Sequence, residues 1–356
     1  MTQKPDLTRR GAGDPRKVFG VDWAPLNIPL ERRLQTLSVM FYVGMFLFVP
    51  VLSVTVPIYI LLYTRWWWTM ILYAVWFVYD FNAPKRGSRR SEWIRNCRLW
   101  KYFADYFPIA LEKTVDLDPT RNYIFGYHPH GIISMGDFAN FATDATGFSQ
   151  KFPGIQPYPG TLVGNFWFPF RREYVIQHGV IDVSKESIRY CLTKIGTGGH
   201  AVIIVIGGAT EALEARPGKY RLHVKRRKGF VRMAIQTGAD LVPVFTFGEN
   251  ETFDQIDNPD GSILRKLQTL FKQYAGFSPP VFSGRGVFNY TFGLLPFRRP
   301  MTTVVGKPIR IEQALVDPSQ DLIEDIHKKY CDALVELFEE NKTKYGVSEA
   351  AHLELC

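Results

Sequence analysis

Cysteine is scarce in this chain. Its 356 residues include four, Cys97, Cys191, Cys331 and Cys356, and no two form a C-x-x-C pair. That spacing excludes a disulfide scaffold or a zinc module, and reduced thiols facing a cytosol are the plain reading. No G-x-S-x-G elbow is present. The nearest approach, Ile132-Ile133-Ser134-Met135-Gly136, lacks the first glycine, which disfavours a serine hydrolase. Neither a Walker A sequence nor a G-x-G-x-x-G after an apolar run occurs, so nucleotide hydrolysis and hydride transfer have no support. The first twenty residues are polar and mixed in charge, unlike a cleavable signal peptide. No repeat or low-complexity tract interrupts the chain.

One further absence points somewhere. Between Arg33 and Arg65 there is no charged residue, and Leu37 to Tyr63 is mostly Val, Leu, Phe, Met, Ile and Tyr. A bilayer core takes about 20 such residues as helix. A second uncharged run, Trp66 to Tyr79, is short for a span of its own, and Trp66, Trp67 and Trp68 suit an interfacial belt. Either one span is followed by an interfacial helix, or a hairpin turns near Pro50 to Pro57 and returns by Tyr79. Basic residues flank both ends: Arg32 and Arg33 before, Lys85, Arg86, Arg89 and Arg90 after. They favour two cytosolic ends and hence the hairpin. The expected division is a polar cytosolic segment over 1–33, a membrane hairpin over 34–80 and a cytosol-facing catalytic domain over 81–356.

What the chain has in quantity is apolar and basic residues: 46% hydrophobic, 15% aromatic, and a formal net charge of +9. A sizeable core is affordable, and the charge favours anionic partners. From Arg216 to Arg232 there are eight Lys and Arg residues and no acid. Such a stretch suits the phosphates of coenzyme A, with lipid head groups and RNA as competitors; the uncharged run argues against a nucleic-acid binder.

After Trp100 the pattern is α/β. Asn122 to Tyr127, Ala201 to Ile206, Leu241 to Phe247 and Met301 to Val305 read as strands, and Arg227 to Thr237 as a crossover helix. Asp317-Pro318 reads as the cap and first turn of a last helix. Leu322, Ile326, Tyr330, Leu334 and Leu337 follow at helical spacing, and Gly346 is the stop.

The sharpest local feature directly follows the first of these strands: Tyr127-His128-Pro129-His130-Gly131. Histidine is the usual general base near neutral pH, and backbone N–H groups at Gly131 and Ile132 could steady an oxyanion. The bland alternative is that both imidazoles satisfy a turn. A metal would need further ligands, and no zinc spacing joins the pair to His178, His200, His223, His327 or His352. Ile206-Gly207-Gly208-Ala209-Thr210-Glu211 ends another strand. Its glycines permit close approach of a substrate, and Glu211 sets a carboxylate at the rim; a plain strand-to-helix turn would read the same way.

Taken in order, these segments resemble the type 2 diacylglycerol acyltransferase and monoacylglycerol acyltransferase family. The resemblance runs from about Ala24 to the end. It rests on Asp105-Tyr106-Phe107-Pro108, the histidine loop, Gly207-Gly208-Ala209 and Arg227-Lys228-Gly229-Phe230-Val231-Arg232. Leu241-Val242-Pro243-Val244, Phe247-Gly248-Glu249-Asn250, Gly284-Arg285-Gly286 and Thr302 to Ile309 extend it. It implies a mixed sheet flanked by helices, as in glycerolipid acyltransferases, with an N-terminal transmembrane hairpin. It further implies a multi-pass endoplasmic reticulum protein able to reach lipid droplets. No cofactor is bound; acyl-CoA is the donor substrate and an acylglycerol the acceptor, and homo-oligomers are compatible with it. The related glycerol-phosphate acyltransferases place an aspartate five residues after the catalytic histidine. Counted from His128, that position holds Ile133, and Asp137 lies further on.

The expected site is therefore His128 or His130 as base, Gly131 at the oxyanion, and Glu211 orienting the base or acceptor. Arg227, Lys228 and Arg232, with Gly207 and Gly208, are expected to hold coenzyme A, and no metal takes part. The acceptor reading leans to diacylglycerol, on Asn122 to Tyr127. The segment from Ala24 to Leu37 and the ending His352-Leu353-Glu354-Leu355-Cys356 look more like the monoacylglycerol enzymes, and an acyl-CoA:alcohol wax synthase is a further alternative.

Overall fold

Parallel strands that are buried on both faces need contiguous apolar sequence, and that is what the central strands have. The protein is described by a computed structural model over residues 16–356, apart from 26, 197, 257, 259–260 and 276–279. The first fifteen residues of the polar N-terminal segment thus lie outside the described residues. In chain order, β1 (Arg16–Val18) and β2 (Val21–Trp23) form a hairpin, followed by helices α1 (Leu30–Leu47), α2 (Val49–Tyr63) and α3 (Trp67–Tyr79). Then come α4 (Arg98–Tyr106), β3 (Ile109–Lys113), β4 (Tyr123–His128), β5 (Gln156–Thr161), α5 (Arg171–Gln177), β6 (Ile181–Asp182) and α6 (Lys185–Thr193). They are followed by β7 (His200–Val205), α7 (Gly208–Ala212), β8 (Arg221–Leu222), α8 (Gly229–Thr237), β9 (Asp240–Phe247) and β10 (Asp254–Gln255). Last are α9 (Ile263–Ala275), β11 (Phe282–Ser283), β12 (Met301–Val305), α10 (Gln320–Asn341) and β13 (Glu354–Leu355).

Seven strands make one mixed sheet in the order β3-β12-β9-β4-β7-β5-β6. Only the β12–β9 pair is antiparallel. Each predicted strand is present, shifted by at most about a residue. Side chains alternate between the faces. Ile124, Leu241, Phe245 and Phe247 pack under α8 and α10 with Phe230, Val231, Leu334 and Phe338. Tyr123, Phe125, Tyr127, Val242 and Val244 pack against Phe141 and Phe148 on the other side. Each fully buried Phe or Leu contributes about 1.5–3 kcal/mol. The last helix starts two residues later than the sequence suggests: Ser319, not Asp317, is the cap, its Oγ accepting the Leu322 N–H at 3.2 Å.

The uncharged N-terminal run is three helices, not two. α1 buries Gln35, Ser38, Val39 and Val43, one helical stripe, and packs on α4. Tyr42 lies against Phe103 and Phe138, with ring centroids 5.0 and 4.6 Å away. The chain bends by 63° between α1 and α2, at Phe48, and breaks again at Thr64–Trp66, where α2 and α3 pack together; Pro57 lies inside α2. Among the described residues no single helix is long and apolar enough to cross a membrane, whereas α1 and α2 taken together are. α2 and α3 leave Leu52, Ile58, Leu62, Trp67, Leu72 and Val75 exposed.

α5 ties these helices to the domain. Buried Arg172 donates to Asp80 at the end of α3, Arg89 also pairs with Asp80 at 2.8 Å, and Arg171 Nε donates to the Met45 carbonyl at 3.3 Å. At the far end of the chain β13 lies parallel to β8. Cys356 N–H donates to Leu222 O, and Lys225 N–H to Cys356 O, both at 2.7 Å.

Candidate active site

β4, β7 and β9 are neighbours and mutually parallel, so the loops after them emerge at one edge of the sheet. Ligand sites of open α/β sheets form at such carboxyl ends. The three loops are the histidine loop after β4, Gly207 to Glu211 after β7, and Gly248-Glu249 after β9.

The two histidines have opposite surroundings. His128 is the last residue of β4 and is fully buried under α10. Tyr330 Oη gives its proton to Gly126 O at 3.1 Å, so the 3.0 Å contact to His128 Nε2 has the imidazole as donor. Its Nδ1 is buried and unpartnered, and burial pushes its pKa down to about 3. That imidazole stays neutral and sealed. His130 is half-buried, at the loop's outer bend. Its Nδ1 lies 3.0 Å from Gly131 O, which can only accept. Nδ1 therefore carries the proton, and Nε2 presents a free lone pair. Burial lowers this pKa too, against an opposing push from the backbone, and so favours the basic form at neutral pH.

Two buried carboxylates hold the loop. Glu211 Oε2 accepts the His130 N–H at 2.9 Å, and its Oε1 accepts the His223 N–H at 2.8 Å. Glu249 Oε1 accepts the Met135 N–H at 2.8 Å, while its Oε2 accepts the Gly136 N–H at 2.9 Å and the Tyr127 hydroxyl at 3.1 Å. Burial raises both to about 7, the amide donors opposing it. Asp137, also buried, is raised to about 8, by burial first and by Glu249 second. Asp137 orients neither histidine, since their partners are Tyr330 and Gly131. A backbone carbonyl is thus the partner of His130 Nδ1.

Glycine makes room for both acids. A Cβ at Gly207 would sit 1.8 Å from the Glu211 carboxyl carbon, and one at Gly131 would sit 2.6 Å from Glu249 Cγ. Gly131 also adopts φ +61°, which other residues resist. The N–H groups of Gly131 and Ile132 lie outside both carboxylate clamps.

The basic residues are more dispersed. Arg227 is exposed, and its charge acts on Glu211, lowering its pKa against the larger effect of burial. Lys228 pairs with Glu324 of α10 at 3.0 Å, and Arg232 is exposed on α8. Gly208 has φ +57° and open space around it, whereas Gly207 serves Glu211. Sequence reasoning missed Glu249, Tyr330 and His223 as parts of the site. A glycine and a glutamate just after β9, as a glycine pair and a glutamate follow β7, were the available signal for Glu249. Among the described residues no cluster of three or more His, Cys, Asp or Glu is placed to hold a metal.

Comparison with known proteins identifies the family. The diacylglycerol acyltransferase family model matches residues 59–356. The chain is 47% identical to human diacylglycerol O-acyltransferase 2, over 99% of this chain and 92% of that protein. It is 48% identical to human 2-acylglycerol O-acyltransferase 1, over 94% and 99%. The bovine 2-acylglycerol O-acyltransferase 1 is 47% identical over 92% and 97%. Among solved structures, the 1-acyl-sn-glycerophosphate (LPA) acyltransferase PlsC from Thermotoga maritima is similar at 11% identity and a TM-score of 0.39, covering 86% of this chain and 97% of that one. The chain is an acyltransferase and belongs to the diacylglycerol acyltransferase family.

Proposed function

We propose that this enzyme moves an acyl group from acyl-CoA to the free hydroxyl of diacylglycerol, giving triacylglycerol, with His130 as the base. One observation carries the residue assignment: of the two loop imidazoles, His130 alone is half-open and has Nε2 free.

Nε2 takes the hydroxyl proton as the oxygen attacks the thioester carbonyl. The amides of Gly131 and Ile132 face the developing oxyanion. Collapse of the tetrahedral intermediate breaks the carbon–sulfur bond, and the departing thiolate takes the proton from His130. His128 is assigned to structure. Glu211 and Glu249 are positioning residues, accepting five hydrogen bonds, four of them from residues 127–136 and one from the His223 amide. Arg227, with Arg232 further along α8, is the reading for the coenzyme A phosphates, and Lys228 is first engaged by Glu324.

The exposed apolar surfaces of α2 and α3 support placing the protein in the endoplasmic reticulum membrane, multi-pass, with a route to lipid droplets. A bilayer site concentrates and aligns a water-insoluble acceptor, which is part of the rate. The near-equal identity to relatives named for diacylglycerol and 2-acylglycerol supports monoacylglycerol as a second acceptor.

Microsomes expressing His130→Ala or His128→Ala at equal levels, fed labelled acyl-CoA and diacylglycerol, test the base. Transfer should vanish only in the first; retention by His130→Ala overturns the assignment. Competition among monoacylglycerol, diacylglycerol and a long-chain alcohol ranks the acceptors, and a dominant alcohol product would reject the acylglycerol reading.

A further inference from the structure

A surface helix ordinarily turns its oily stripe inward and its polar face to water. α9 leaves part of its oily stripe in the open. At about 100° per residue, Ile263, Leu267 and Leu270 share a stripe about 60° wide. All three are exposed, at 78, 60 and 51%. About 160° round the helix, its polar side chains face the protein. Gln268 is 4% exposed and its Oε1 accepts from Asn258 Nδ2 at 2.8 Å. Arg265 donates to Glu214 Oε1 at 3.0 Å. Asn258 is held in turn by Arg216, 2.6 Å from its Oδ1. Hydrogen bonds and an ion pair thus hold this side of the helix, and Ile263, Leu267 and Leu270 are left outward.

The charge of the surrounding sequence indicates what covers that face. From Gly261 to Ile311 there is no Asp or Glu, whereas Lys266, Arg285, Arg299, Lys307 and Arg310 fall within it. Further exposed apolar residues lie before and after α9 in the chain. Ile256 and Val281 sit where β10 meets β11, and Phe288 lies on the loop that bridges to β2. Exposed apolar side chains on a basic, acid-free segment, with exposed Lys266 on α9 itself, match the boundary of an anionic bilayer. A second copy of the chain would bring the same basic segment, and like charges would oppose the contact.

We propose that α9 lies in the interfacial plane of an anionic membrane with Ile263, Leu267 and Leu270 among the acyl chains. This contact is separate in sequence from α1–α3. Its position has a chemical consequence. Glu214, the anchor of Arg265, also takes His223 Nε2 at 3.0 Å, and the His223 amide holds Glu211. The bilayer boundary is thereby set beside the strap that clamps the histidine loop.

The test uses the full chain with Cys97, Cys331 and Cys356 replaced by serine. Leu267→Cys, Leu270→Cys and Thr269→Cys are each labelled with an environment-sensitive fluorophore. All three positions are exposed, so the variants should fold, and unchanged melting temperatures verify it. The proteins are reconstituted into phosphatidylcholine–phosphatidylserine vesicles containing doxyl-labelled acyl chains. Labels at 267 and 270 should be blue-shifted and quenched at least about twofold more than the label at 269, which points away from the stripe. Two results overturn the proposal: quenching at 267 and 270 by aqueous iodide and not by doxyl lipid, or ready 267–267 disulfide formation between copies. Neither readout depends on catalysis, so failure here is distinguishable from failure of the acyl-transfer reading.

Discussion

The two sides of the histidine loop are two residues apart and belong to different kinds of environment. On the inner side His128 is sealed beneath α10, donates to Tyr330 and cannot be charged near neutral pH. On the outer side His130 keeps one nitrogen on its own loop and turns the other outward. The difference shows how a sheet end sorts identical side chains. The last strand residue inherits the core, and the first residue beyond the bend inherits the open side of the loop.

The largest expected effect breaks the outer side alone. His130→Ala should lower transfer about 10²- to 10⁴-fold, the usual contribution of a positioned base, with the melting temperature unchanged. A smaller loss would move the base elsewhere. Glu249→Ala attacks the clamp and leaves the Met135 and Gly136 amides and the Tyr127 hydroxyl without their acceptor. A displaced catalytic loop costs about 10²-fold in rate. Steady-state kinetics on detergent-purified protein should show the loss in kcat more than in KM, because the clamp positions the base without touching the acceptor.

His128→Ala works on the inner side. A melting curve should show about 2 kcal/mol lost, with the specific rate of the folded fraction within a few-fold of the parent. An equal loss of rate in both histidine variants would erase the distinction between the sides.

The smallest effect is a pH profile of stability. Glu211 and Glu249 titrate at about 7 when folded, above the usual range near 4.5. The folded state holds those protons more tightly. The stability they contribute is complete below about 4.5 and is lost as pH rises through about 7. His128 is opposite in sign: lowered to about 3, it contributes stability above about 6.5 that is lost as pH falls toward 3. Melting temperatures should therefore fall on both limbs. Glu249→Gln should flatten the alkaline limb and His128→Ala the acid one. Identical limbs in parent and variants would refute the assigned environments.

How much of this is legible in the sequence follows from which interactions are local. The central strands are readable because burial on both faces requires unbroken runs such as Tyr123-Ile124-Phe125 and Leu241-Val242-Pro243-Val244. The histidine loop and Glu211 are readable because each directly follows such a run. The role of Glu249 is not, since only the β9-β4-β7 strand order brings it to the same loop from more than a hundred residues along the chain. Tyr330 reads correctly as a core position of the last helix, but its hydroxyl is committed to His128, which spacing does not reveal. α9 has an apolar period that any scan would find, yet periodicity gives the width of a stripe and not the side that docks. The uncharged run signals lipid, but the bend at Phe48 and the docking of α1 on α4 are set by tertiary contacts.

The pairing of β13 with β8 bears on how this enzyme should be handled. Cys356 and Lys225 are joined by a hydrogen bond, and that segment delivers the His223 amide to Glu211. An affinity label fused after Cys356, or a trim of the final residues, therefore disturbs a support two links from the reacting loop.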